Sequence, residues 1–204
     1  MTSMHISEGV LSAPVLISGA ALAAVGTGIG LKKLDYDQIA KAGMLAAAYF
    51  VASLIHVPIG PANAHLILNG LVGLLLGWVA FPAILVALIL QGVLFQFGGI
   101  TTLGVNTIIM ALPAVLSYLL FGRFVQNASR TAAAAAFACG FIAVLLSGLF
   151  VALSLVFTEE NFLNVSGIIL AAHIPVMIIE GIVTAVCVAF LRKVAPEMLL
   201  GNPG

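Results

Sequence analysis

Four histidines, His5, His56, His65 and His173, are the residues of this sequence best suited to chemistry. Neutral imidazole ligates divalent Ni, Co, Cu and Zn well, and burial keeps the ring unprotonated. His5 precedes the first apolar run, His56 and His65 bracket one short break, and His173 lies about two turns into the last run. If these positions share one side of a membrane, they can share a metal. The bland alternative is that histidines gather at interfaces because the ring is amphipathic. The Met4-His5 pair is more specific. With Met4 as first residue, its amine, the deprotonated amide of a second-position His and that His ring close a five- and a six-membered chelate. A fourth nitrogen completes a square plane, which favours Ni(II) or Cu(II), whereas Zn prefers a tetrahedron and Mg or Ca prefer oxygen.

The elements that must position these groups are membrane helices. The 204 residues are 63% hydrophobic and 7% charged, too little charge to cover a soluble surface. At roughly 20 apolar residues per spanning helix, the length allows about six or seven crossings and no large soluble domain. Apolar runs cover 10–31, 42–57, 65–81, 83–97, 102–121, 131–157 and 166–191, separated by breaks rich in Gly, Pro, Asn or charge. The second and third runs are short for a full span, which suits tilted, kinked or re-entrant backbone. Lys32, Lys33 and Lys41 flank the first break, Arg123 and Arg130 the fifth, and Arg192 and Lys193 the tail, while the alternate breaks carry no basic residue. Because cytoplasmic loops accumulate Lys and Arg, the N-terminus is expected outside and the C-terminus inside, with an odd number of crossings. All four histidines then face the outer side, together with Glu8, Glu159 and Glu160. The opening nine residues lack the basic flank of a signal peptide and are read as mature sequence.

Other residues narrow the choice. Glu180 is the only carboxylate deep within an apolar run, seven residues after His173 and so on nearly the same helix face. It either serves function or bonds a polar neighbour such as Asn106, Gln91 or Ser147. Asn106 either caps the fifth helix or orients a ligand histidine. Cys139 and Cys187 lack metal-ligand spacing and read as buried thiols. Gly19, Ala20, Ala23, Ala24, Gly26 and Gly30 form a small-residue face, for internal packing or for a partner helix. There is no phosphate-binding Gly-x-x-x-x-Gly-Lys-Ser/Thr loop, so ATP hydrolysis needs another protein. Neither an HExxH helix nor a Ser/His/Asp arrangement is present, which argues against an enzyme.

Three stretches resemble the CbiM/NikM membrane proteins of energy-coupling-factor transporters for cobalt and nickel. They are Met4-His5-Ile6-Ser7-Glu8-Gly9-Val10-Leu11-Ser12, Val57-Pro58-Ile59-Gly60 through Ala64-His65-Leu66, and the run from Gln91 through Gln96, Gly98-Gly99 and Gly104-Val105-Asn106. The resemblance spans most of the chain. It implies metal ligation by the Met4 amine, the His5 amide and imidazole, and the His65 imidazole, with His56, Asn106, His173 and Glu180 as supporting or pathway residues. The sequence departs from the family in the three residues before Met4. Initiation at Met4 would restore the pattern, and a bulky second-position His would protect that Met from removal.

The expectation is therefore an all-α integral membrane protein, a bundle of about seven transmembrane helices forming a single membrane domain over 1–204. Residues 1–9 form an extracytoplasmic metal-binding segment, 10–193 the transmembrane helices and 194–204 a cytoplasmic tail. The resemblance implies a substrate-binding component of an ABC-type importer in a bacterial or archaeal cell membrane, taking up Co(II) or Ni(II) as transported ligand with no permanently bound cofactor. It further implies a transmembrane coupling (T) subunit, ATPase (A) subunits and a small CbiN/NikN-like membrane subunit as partners, besides membrane lipid and without nucleic acid. The rivals are a proton-coupled metal permease using Glu180 and an intramembrane metal-dependent enzyme.

Overall fold

The computed structural model describes residues 6–59, 62–125, 129–159 and 163–199. Among them are seven α-helices in the order of the apolar runs: α1 (Ala13–Lys32), α2 (Ile39–Ala52), α3 (Asn69–Leu76), α4 (Ala80–Phe95), α5 (Leu103–Val125), α6 (Ser129–Val156) and α7 (Leu163–Val194). A two-stranded antiparallel hairpin, β1 (His56–Ile59) and β2 (Ala62–His65), joins α2 to α3. The expected helical bundle is present; the hairpin interrupting it was not expected.

Among the described residues five stretches are long and apolar enough to cross a membrane: α1, Asn69–Phe95, α5, Thr131–Val156 and His173–Val194. At 1.5 Å per residue the 14-residue α2 is about 21 Å long and the eight-residue α3 about 12 Å, against a hydrocarbon core of about 30 Å. The run at 65–81 is accordingly not one helix. Its first residue ends β2, Leu68 is left-handed with φ 56°, and Gly77 with φ 55° separates α3 from a 3-10 turn that leads into α4. Gly77 adopts that φ without a Cβ clash. Hydropathy cannot register such a break, because all eight residues of α3 are buried in protein and all but Asn69 lack a polar side chain.

Helix α3 packs against α5 and α6, while α6 and α7 pair along their lengths. A Cβ on Gly73 would collide with the Ala114 carbonyl, and one on Gly70 would meet Gly140, so the short helix touches its neighbours backbone to backbone. Part of the small face of α1 is also spent inside the molecule: Gly19 lies on Val105, Gly26 on Phe81, Gly30 on Pro82 and the Trp78 carbonyl, and Ala23 is buried, whereas Ala20 and Ala24 are exposed. Its opposite face, with Ile17, Leu22 and Val25, is exposed as a lipid-facing surface must be. Cys139 is buried and Cys187 half-buried, both free, in line with the thiol reading.

The two ends of the bundle differ. At one end Arg192 Nη1 donates to the Val125 carbonyl at 2.8 Å and Lys41 Nζ to the Met198 carbonyl at 2.8 Å. At the other, the segment before α1 meets the turn before α5 and the end of α6.

Candidate metal site

Two chain segments carry the candidate ligands, and each is gripped beside its histidine by a buried polar side chain from a membrane helix. Met4 and His5 lie outside the described residues, but Ile6, the next residue, is fixed at both of its backbone groups. Its N–H donates to Asn106 Oδ1 at 3.0 Å, and Asn106 Nδ2 donates to its carbonyl at 3.1 Å. The amide thus pairs with Ile6 as a neighbouring strand would. Asn106 sits in the first turn of α5 and is 3% exposed; its Nδ2 also lies 3.3 Å from Thr102 Oγ1, which donates to the Gly99 carbonyl. Bonded on both sides, the amide has its orientation set.

Further contacts hold the same segment farther along. Glu8 Oε1 accepts from Thr101 N–H at 3.2 Å, in a turn where Gly99 leaves room for the Glu8 side chain. The Ser12 N–H donates to Thr158 Oγ1 at 3.3 Å, and that hydroxyl donates to the Ser154 carbonyl. Ile6 and Leu11 are buried, 6% and 8% exposed, so apolar burial seats the segment while polar bonds set its register.

The second segment is the hairpin. His56 and His65 are directly opposed in its register, and the Leu66 N–H to Ile55 carbonyl bond at 3.1 Å continues the ladder. Their side chains lie outside the described part of the structure. The hairpin's exit is held by Glu180, in α7 and 0% exposed. Its Oε1 accepts from Ile67 N–H, and Leu68 N–H lies 2.9 and 3.0 Å from the two carboxylate oxygens. Two adjacent N–H groups aimed at one carboxylate form an anion-binding concavity, which explains how a non-glycine residue persists at φ 56°. Asn69 completes the anchorage, its Nδ2 donating to Ser147 Oγ at 2.8 Å and the Met110 carbonyl at 3.3 Å.

Some expected partnerships are replaced. Glu180 bonds none of Asn106, Gln91 or Ser147: its partners are backbone groups, Asn106 takes Ile6, and Ser147 takes Asn69. Gln91 is fully buried, with neither amide atom bonded among the described residues. His173 is buried with Glu180 on one face of α7, as the seven-residue spacing predicts. Among the described residues no three His, Cys, Asp or Glu side chains come together. The roles of Thr158, Thr101 and Leu68 carry no sequence signal, because a bond between one residue's side chain and another's distant backbone has no motif. Frames of this kind can order two chain segments around a cation.

A family model described as the cobalt uptake substrate-specific transmembrane region matches residues 5–198. A protein of Haemophilus influenzae named for metal transport is 41% identical over 199 residues, covering 96% of this chain and 97% of that one. The fused nickel transport protein NikMN of Rhodobacter capsulatus is 32% identical over 222 residues, covering 96% of this chain and 64% of the longer fused one. A solved structure, a truncated transition metal transporter, superposes with a TM-score of 0.73 at 26% identity, over 95% of this chain and 98% of that one. With its apolar helices packed in the order of the family's motifs, the chain is a multi-pass membrane protein and belongs to the CbiM family, whose members are metal transport proteins and not enzymes.

Proposed function

We propose that this chain is the substrate-binding membrane component of an energy-coupling-factor importer for Co(II) or Ni(II). The observation that carries the reading is the pair of buried grips: Asn106 on the residue after His5, and Glu180 on the turn after His65. Such grips reduce the freedom of the ligand-bearing segments before metal arrives, so less ordering entropy opposes binding. In this reading the Met4 amine, the His5 amide and imidazole, and the His65 imidazole surround the ion. Four nitrogens in a plane suit Ni(II), and Co(II) is compatible with the same donors. His56 and His173 lie beside the pathway.

The outer end is the one where residues 6–12 meet Thr101 and Thr158; the basic end, with Lys41 and Arg192, is cytoplasmic by the positive-inside rule. Seven crossings within one membrane domain, with residues 1–9 outside and 194–204 inside, satisfy that orientation, α2 and α3 contributing short or buried passages. A coupling (T) subunit, ATPase (A) subunits and a small NikN-like subunit complete the transporter; the fused NikMN relative carries such a companion in its name. Because Glu180 is engaged by Ile67 and Leu68, it serves as a structural anchor in preference to a proton carrier.

Equilibrium binding of Co(II) and Ni(II) to the purified chain, paired with uptake by the assembled transporter, tests this. Saturable binding of one or both ions and uptake that requires ATP are expected. Uptake that persists without ATP and collapses with the proton gradient would replace the reading with a secondary permease.

A further inference from the structure

A second site lies at the opposite end from the histidine segments. There the end of α1, the start of α2, the corner between α3 and α4, and the 3-10 turn Pro196–Met198 surround a cavity of about 640 Å³. Its inner wall is apolar, formed by Leu74, Leu75 and Leu76, with Trp78 and Tyr118 beside them. Its rim carries Lys33 and Lys41 together with Asp35, Asp37 and Glu197. Among the described residues no ion pair within 4 Å links either lysine to any of these carboxylates. Both signs of charge therefore face one cavity without cancelling each other.

An apolar wall under a charged rim, flanked by Trp and Tyr at the ends of membrane helices, is the environment of a lipid at the interface. Leu31 and Ile39, 55% and 51% exposed, continue the apolar surface beside the rim. The charge pattern selects among headgroups. A purely anionic headgroup would gain the lysines but meet three carboxylates, and a choline would offer those carboxylates no N–H donor. A headgroup with a phosphate and a primary ammonium on a two-carbon tether answers both signs: phosphate oxygens accept from Lys33 and Lys41, and the ammonium donates to Asp35, Asp37 or Glu197.

We infer that this cavity binds an aminophospholipid, of phosphatidylethanolamine type, with the headgroup between the lysines and the three carboxylates and the acyl chains along the helix surface. The reading is independent of the metal site and of membrane orientation, since it requires only that the cavity lie at an interface. Lys41, with Nζ on the Met198 carbonyl, ties the C-terminal turn to α2 and keeps Glu197 at the rim.

The test uses the full chain in bilayer discs of phosphatidylcholine with a minority of phosphatidylethanolamine, phosphatidylglycerol or the N,N-dimethyl ethanolamine lipid, the retained lipids being counted by native mass spectrometry. Phosphatidylethanolamine should be retained over phosphatidylcholine about fivefold, the factor expected of one partly exposed charge-assisted hydrogen bond. Each N-methylation should lower that preference, a series that leaves the protein unaltered. Asp35→Asn, Asp37→Asn and Glu197→Gln together should bring it near parity, and Arg123→Gln, on the same face but outside the cavity, should not. Equal retention of the two lipids, preference for phosphatidylglycerol, or a preference unmoved by the triple substitution would each overturn the site. Loss of the preference once a coupling subunit is bound would assign the cavity to protein contact and overturn it equally.

Discussion

The sharpest perturbation of the candidate metal site leaves every proposed ligand in place. Asn106→Ala removes both bonds to Ile6, at 3.0 and 3.1 Å, in a site where Asn106 is 3% and Ile6 6% exposed. At about 1 kcal/mol net per neutral hydrogen bond, the grip stabilises the docked segment by about 2 kcal/mol. Because metal binding requires that docked state, its loss should weaken apparent affinity by up to about thirtyfold, the product of a fixed intrinsic affinity and a smaller competent fraction. Residues 6–12 retain their apolar burial and the Glu8 and Ser12 bonds, so the metal-free melting temperature should move little. Asn106→Asp should be at least as damaging, since a carboxylate faces the Ile6 carbonyl where an N–H donor had been. Calorimetric titration with Ni(II) and Co(II), alongside thermal melts without metal, separates the effects. Native affinity in Asn106→Ala would refute the argument that this amide orders the His5 segment; a large fall in metal-free stability with unchanged affinity would make it purely structural.

Other expectations follow from the same geometry. His5→Ala and His65→Ala should each abolish high-affinity metal binding, the double variant should be little worse, and His56→Ala should be mild; undiminished binding by His65→Ala rules out the shared ion. Protein beginning at Met4 should bind metal more tightly than protein retaining Met1-Thr2-Ser3 and show the yellow absorption of square-planar Ni(II), whereas identical spectra would remove the amine from the ligand set. Glu180→Ala should lower stability by about 3 kcal/mol, since the buried Ile67 N–H and the half-buried Leu68 N–H lose a charged acceptor, and Glu180→Gln, which keeps one acceptor oxygen, should cost less in the same melts. A cysteine at Asn161 should react with an impermeant thiol reagent from outside and one at Asn127 should not; the reverse pattern would invert the topology.

What could be read from residue order was what rests on local composition. The apolar runs foretell a helical bundle, because the pressure to be apolar acts residue by residue, but not which of them span: among the described residues five stretches are long and apolar enough to cross. The hairpin escaped notice because β1 and β2 are four residues each, below the length at which alternation is distinct. The division of 65–81 at Leu68 and Gly77 escaped for another reason: hydropathy reports exclusion from water and is blind to whether lipid or protein excludes it. Asn106 and Glu180 were conspicuous as polar residues in apolar surroundings, but their partners were not foreseeable. Ile6 and Ile67 are bonded through backbone groups, which every residue but proline shares.

That the ligand-bearing segments are gripped by their backbone has an evolutionary consequence. A frame that bonds peptide groups does not read the identity of the residues it holds, so positions 6, 12, 67 and 101 can exchange side chains of similar size without disturbing the register. Sensitivity should instead concentrate in distant Asn106 and Glu180. If the held segments carry the proposed ligands, substitutions within them would alter the donor set while two side chains a hundred residues away keep the backbone register constant.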